Sequence, residues 1–211
     1  MYKLFKDWAK VIPENTLKET LRSLIDIYSK TPVYPDKSKV FRAFEECPYN
    51  NLKVVILGED PYPQKGIATG LAFANENNIG TSKSLSKIIE ALEIEENRFD
   101  KSLVSWAKQG ILLLNSALTV EENKSGSHIL LWRPFIKQLL LNLQDYNPGL
   151  IFVLLGSEAQ SFEYLLNPKI CNIIKDKHPA YYVRTHTVMS RNIFDKVNEI
   201  LYNNNGYKIN W

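Results

Sequence analysis

Two hydrophobic rhythms run along this chain. Four short apolar runs, at about Leu52–Leu57, Ile111–Leu114, Leu150–Leu155 and Ile170–Ile174, predict strands buried on both faces. Between them, apolar residues recur at helical spacing. Leu17, Leu21, Leu24, Ile25 and Tyr28 predict a first helix with Asn15 as its N-cap. Val40, Phe41 and Phe44 predict a short helix that closes before Pro48, and Thr81–Glu93 and Leu103–Lys108 predict two more. Pro134 falls near the start of a helix carrying Phe135, Ile136, Leu139, Leu140 and Leu143. Glu158–Leu166 reads as a further helix, and Ile193, Val197, Ile200 and Leu201 mark the last. Thr31–Ser38, Asn147-Pro148-Gly149 and Asn203–Asn205 read as loops.

Apolar runs alternating with helices imply an α/β fold: a small central four-stranded parallel sheet, flanked by helices on both faces. At 211 residues, one domain spanning 1–211 is the natural count, with 1–31 as an N-terminal helical segment packed on it. A net charge of +3 permits a nucleic-acid partner without demanding one; any basic face has to be local. Cys47 and Cys171 show neither metal spacing nor a C-x-x-C, so the sequence predicts no metal site, no iron–sulfur cluster and no disulfide framework. The N-terminal stretch lacks the apolar core of a signal peptide, and no apolar run approaches ~18 residues. The expectation is a cytoplasmic, monomeric protein without a membrane span and without a cofactor.

The polar residues next to the strands add chemistry. Asp60, Asn115, Ser157 and His178 each lie within a few residues of the C-terminal end of one predicted strand. In a parallel sheet those ends share one edge, where α/β proteins bind ligands. The stretch from Val54 to Asn75, VVILGEDPYPQKGIATGLAFAN, is the densest example. Pro61 and Pro63 stiffen the path on either side of Tyr62, so a carboxylate and an aromatic ring can be held in one geometry.

That stretch resembles motif A of the uracil-DNA glycosylases, written close to GQDPYHGPGQAHGLAFS. Gly58, Asp60, Pro61, Tyr62, Gly66, Ala68, Gly70, Leu71 and Phe73 match without a gap. The resemblance runs from about Val33 to Trp211 through VYPDKSKVFRAFEE, ILLLNSALTV, SHILLW, FVLLGSEAQ, HP and the terminal INW. Glu59 stands where most members have Gln, and Pro63 where most have His. Pro63 and the spacing of SHILLW are more similar to the viral branch.

The resemblance implies hydrolysis of the N-glycosidic bond of uracil in DNA, by base flipping. It assigns catalysis to Asp60, which faces the cationic sugar and the attacking water, and to His178, a donor to uracil O2. Asn115 would read the pyrimidine edge, Phe73 would stack on the base, Tyr62 would wall its C5 side, and Glu59 completes the substrate-binding set. Ser84, Ser157 and Arg184 would hold DNA, with Arg191 as a further phosphate contact. After His178 the family usually has HPSPLS, with a leucine wedge; this chain has HPAYYVR, and Tyr182 falls at the leucine's count. His128 would be structural and His186 a surface residue. The implied partner is uracil-containing DNA, single- or double-stranded. A proteinaceous glycosylase inhibitor or a replication protein is a further partner class. Two other readings stay open: a glycosylase for another modified pyrimidine, and a DNA-binding or replication-scaffold protein with secondary glycosylase activity.

Overall fold

The computed structural model describes residues 7–76 and 80–211; residues 1–6 of the expected N-terminal segment lie outside them. The chain opens with helix α1 (Glu14–Tyr28), then a two-residue strand β1 (Val33–Tyr34) and helix α2 (Arg42–Glu46). Strand β2 (Val54–Gly58) leads through a long loop to α3 (Lys83–Leu92) and α4 (Val104–Lys108). Strand β3 (Ile111–Asn115) is followed by the short β4 (Val120–Glu121) and the long helix α5 (Ile129–Tyr146). Strand β5 (Ile151–Leu155), helix α6 (Ser157–Gln160), strand β6 (Asn172–Asp176), α7 (Pro179–Thr185) and α8 (Asn192–Asn205) complete it.

The four long strands form one parallel sheet in the order β3-β2-β5-β6. Every residue of β2 and β5 is buried, as a sheet covered on both faces requires. The connection out of β2 leads to β3 on one side, and the connection out of β5 leads to β6 on the other. The switch point therefore lies between the carboxyl ends of β2 and β5, where a crevice opens. β1 pairs with β4 antiparallel, away from the main sheet.

Several expected boundaries move. α1 begins at Glu14 after Pro13, and Asn15 does not cap it. Thr31–Ser38 contains β1, too short and too flanked by prolines to show a period. α5 begins at Ile129, so Pro134 lies inside the helix rather than near its start. That proline deprives the Leu130 carbonyl of its partner, but Leu130 is 82% exposed and water can serve it. Phe135, Ile136, Leu139, Leu140 and Leu143 are fully buried. At roughly 1.5–3 kcal/mol each, they outweigh the ~3 kcal/mol cost of a mid-helix proline. The expected helix at Glu158–Leu166 splits into α6 and a 3-10 turn at Glu163–Leu165. The fourth strand starts two residues later than its apolar run, because Ile170 precedes the ladder and is 36% exposed. Asn203–Asn205, expected as loop, finish α8, which Gly206 ends at a φ of +68°.

Among the described residues, no helix is long and apolar enough to cross a membrane. Cys47 and Cys171 are buried free thiols, and burial pushes Cys47 up to about 12.

Candidate active site

The carboxyl edge of the sheet opens into a cleft of about 670 Å³, a volume suited to a small-molecule ligand. Glu59, Asp60, Tyr62, Phe73, Ser84, Asn115, Ser157, His178 and Arg184 all line it. Of the residues expected from sequence to contact substrate or DNA, Tyr182 and Arg191 do not.

Asp60 lies two residues beyond the end of β2. Its Oδ2 accepts the Gly126 N–H at 2.6 Å and the Ser125 hydroxyl at 3.0 Å. Burial pushes its carboxyl above the usual range, opposed by these bonds and by its own N–H. Glu59 is raised too, by burial and then by the negative charges of Asp60 and Glu158, while Arg184 opposes the rise. The Glu59 carbonyl accepts the Ser116 hydroxyl at 2.6 Å and the Ala117 N–H at 3.0 Å. The backbone leading to Asp60 is thereby fixed to the segment after β3.

Asn115 ends β3 and sits opposite Gly58 in the ladder. A Cβ on Gly58 would lie 2.6 Å from Asn115 Oδ1 and 3.0 Å from the Phe73 ring. Only glycine lets the amide and the ring share that space. Phe73 holds its place at a φ of +66°, a region that bulky residues avoid. The Tyr62 hydroxyl donates to the Phe73 carbonyl at 3.2 Å and lies 2.6 Å from the Ser82 hydroxyl. Ser82 caps α3, accepting the Leu85 N–H. One hydroxyl relay thus ties the two aromatic walls to each other and to the helix carrying Ser84. Burial pushes Tyr62 up to about 12, so its proton stays on.

His178 caps α7, its Nδ1 accepting the Ala180 N–H at 3.1 Å. An Nδ1 acceptor puts the ring proton on Nε2. Burial, and then Arg184, lower His178 to about 4, so the ring is neutral near pH 7. Its ring lies 5.5 Å from that of Phe73. Gly156 stands at φ +94°, and a Cβ there would reach His178 Cβ at 2.8 Å. In the sequence Gly58 and Gly156 are only motif letters; their close approaches to Asn115 and His178 become visible across strands.

The Tyr182 hydroxyl donates to Asp176 at 2.6 Å and its ring packs against the core. Tyr181, 38% exposed, stands on the cleft wall instead, with Lys177 5.6 Å from its ring centroid. Lys177 and Ser125 also line the cleft and were not singled out from sequence. His128 is 2% exposed, its Nδ1 2.9 Å from the Thr119 hydroxyl, which also accepts the Trp132 indole N–H at 2.7 Å. His186 is exposed, at the C-cap of α7. Arg191 donates to the Leu92 carbonyl at 2.9 Å and pairs with Asp195, which ties it to the ends of α3 and α8. No group of three or more His, Cys, Asp or Glu able to hold a metal occurs among the described residues.

Two flat rings, one amide and one neutral imidazole suit a planar heterocycle with polar edges, and a carboxylate stands beside them. The fold and this cleft define the class: an α/β enzyme that works on a base-like ring. The chain belongs to the uracil DNA glycosylase superfamily, whose model matches residues 44–202. It is 34% identical over 225 residues to the uracil-DNA glycosylase of Fusobacterium nucleatum, covering 100% of this chain and 97% of that one. Uracil-DNA glycosylase 1 of Listeria innocua is 33% identical over 217 residues, covering 99% and 98%. The crystal structure of mimivirus uracil-DNA glycosylase superposes with a TM-score of 0.86 at 29% identity, covering 100% of this chain and 87% of that one. A variant of that mimivirus protein in complex with UGI is similar at a TM-score of 0.85 and 28% identity, over 99% of this chain and 87% of that one.

Proposed function

We propose that this protein releases uracil from DNA by hydrolysing the bond between the base and deoxyribose. The observation that carries the reading is the gathering of Asp60, Asn115 and His178 around one cleft walled by Tyr62 and Phe73. The target nucleotide leaves the stack to enter this cleft. Asn115 offers an N–H to uracil O4 and a carbonyl to N3–H; cytosine reverses both polarities. Phe73 stacks on the ring, and Tyr62 closes the C5 side. As the N1–C1′ bond breaks, positive charge grows on the sugar and negative charge on the base. Asp60 faces the first, and the His178 Nε2–H donates to O2, the acceptor of the second. Water forms the new bond to C1′ and gives its proton to Asp60; the uracil anion takes up a proton on release.

Ser84 and Ser157, at the starts of α3 and α6, and Arg184 on α7 support the flanking DNA phosphates. Tyr181, rather than Tyr182, fills the space the flipped base leaves, because it is 38% exposed at the cleft wall, whereas the Tyr182 hydroxyl is held by Asp176. UGI, seen with the mimivirus variant, is a partner we extend to this chain.

A labelled oligonucleotide panel carrying U, T and modified pyrimidines, followed by alkali cleavage, tests the reading. Cutting at U alone is expected. Cutting elsewhere but not at U would assign another base, a reading that the Glu59 carboxyl within the cleft favours. Asp60→Asn should bind the U strand but lose about 10²–10⁴-fold in turnover, the scale of a lost charge or proton acceptor at the reacting centre. Near-wild-type single-turnover release would remove Asp60 from the mechanism.

A further inference from the structure

The Asp60 carboxylate is held from one side by a turn that no part of the chemistry above uses. We propose that Ser125 is a positioning residue: with the Gly126 N–H it fixes the Asp60 carboxylate by Oδ2 and leaves Oδ1 to take the proton from water. The inference rests on the reading of Asp60 as the group that activates water.

The geometry separates the two oxygens. Oδ2 receives Gly126 N–H at 2.6 Å and the Ser125 hydroxyl at 3.0 Å; Oδ1 lies 3.3 Å from the same hydroxyl. A serine hydroxyl has one proton, so the shorter contact takes it. Oδ2 is then doubly satisfied and Oδ1 keeps its acceptor capacity.

The turn is built to hold this arrangement. The Ser127 N–H donates to the Lys124 carbonyl at 3.1 Å, and the Ile129 N–H to the Gly126 carbonyl at 3.1 Å. The Ser127 hydroxyl accepts the Glu121 N–H at 2.9 Å. The Asn123 N–H donates to the Pro63 carbonyl at 2.9 Å, which fastens the turn to the loop that carries Asp60. Asp60 is thus pinned at both ends, its backbone by the segment after β3 and its carboxylate by Ser125 and Gly126. A reacting group held in one rotamer keeps the entropy advantage of a near-attack geometry, and about 1 Å of misplacement can cost 10²-fold.

The hydroxyl also acts on ionisation. A donor to the anion favours it, so Ser125 works against the burial that raises Asp60. The other charged groups of the site are Glu59, Glu158, Lys177 and Arg184, and burial followed by Arg184 pushes His178 down to about 4. The turn itself adds Lys124, paired to Glu121 at 2.6 Å. None of these changes when Ser125 is replaced.

The test measures kcat and KM against pH for wild type, Ser125→Ala and Ser125→Thr on a uracil-containing single strand. Ser125 is exposed, so loss of the fold is not expected to intervene, and thermal unfolding of each variant checks it. Ser125→Ala should lower kcat about tenfold with KM unchanged, and move the acid limb of kcat up by roughly half to one pH unit. Ser125→Thr keeps the hydroxyl and should restore both. In the Asp60→Asn background Ser125→Ala should cause no further loss, since the two act as a unit. An unchanged kcat and acid limb would overturn the proposal. So would a loss confined to KM, which would make Ser125 a DNA contact. A wild-type protein that releases no uracil would instead overturn the parent reading.

Discussion

Phe73 joins backbone strain to the proposed substrate contact. Its φ of +66° turns the ring over Gly58, and the Tyr62 hydroxyl bonds its carbonyl there. Such strain persists where surroundings over-determine it, and it is frequent at functional sites. Nothing in the run LAFAN announces a left-handed phenylalanine; pattern alone buries Phe73 in the core, where it does belong, but not with its ring at the cleft. Asp60, Asn115 and His178 were legible because each follows a strand, and strand ends can be read from apolar runs. Tyr62 gives the sharpest residue-level prediction. Uracil and thymine share their Watson–Crick edge, so Asn115 cannot separate them; the C5 methyl must be refused by a clash. Pro61 and Pro63 give Tyr62 little freedom to retreat, and its hydroxyl is doubly engaged. Wild type should leave thymine intact, whereas Tyr62→Ala should release it slowly and lose uracil turnover. Sequencing gels of T-containing strands read both; strict uracil specificity in the mutant would place the wall elsewhere. His178 supplies a pH signature. Its folded value of about 4 lies below the ordinary 6.5, so the unfolded chain binds more protons between these limits. The stability this neutral ring contributes is complete above pH 6.5 and is lost as pH falls towards 4. Urea midpoints of wild type should therefore fall more over that window than those of His178→Gln; equal slopes would mean that the imidazole is not held neutral.

At the scale of elements, the strands and most helices were readable because period and length agree: β3 and α3 fall within two residues of their expected bounds. The shortest elements were read wrongly or not at all. β1 spans two residues, and α6 is a single turn, too little chain for any periodicity to register. α7 was missed although its start is written in the sequence: a capping His178 followed by Pro179 at the first helical position. That helix decides which tyrosine stands at the cleft wall. Counting along an irregular loop puts Tyr182 at the wedge, but helical geometry turns its hydroxyl onto Asp176 and leaves Tyr181 at the cleft wall. Tyr181→Ala should therefore impair release from paired uracil most, and from single strands several-fold less, because little stacking is broken there. Tyr182→Ala should instead lower thermal stability, with similar losses on both substrates. A duplex-selective defect in Tyr182→Ala alone would restore the loop count.

Across the whole molecule, a net charge of only +3 means that DNA affinity must come from where the cations stand. Lys177 and Arg184 line the cleft at the carboxyl edge. Glu59, Asp60 and Glu158 share that edge, and a negative field there would repel the phosphates that carry the substrate in. Arg184 acts on two of the proposed groups: it opposes the rise of Glu59 and helps keep His178 unprotonated. One cation would then both meet a phosphate and hold the site in its working ionisation. The sequence showed Arg184 as a basic residue after His178, but the Glu59 it acts on follows β2, and the strand order that unites them has no signal in any local pattern. If Arg184 meets a phosphate, Arg184→Gln should weaken binding to all DNA sequences alike and reduce the slope of log K against log salt by about 1. Lys108 is the matched control: it is exposed and lies at the opposite edge of the sheet, just before β3. Lys108→Gln should leave the slope unchanged. Fluorescence anisotropy of a labelled duplex over a salt series, using the Asp60→Asn background to prevent turnover, measures both. Equal slopes for wild type and Arg184→Gln would confine Arg184 to tuning Glu59 and His178, and would move the phosphate contact to Lys177 or to the serines at the starts of α3 and α6.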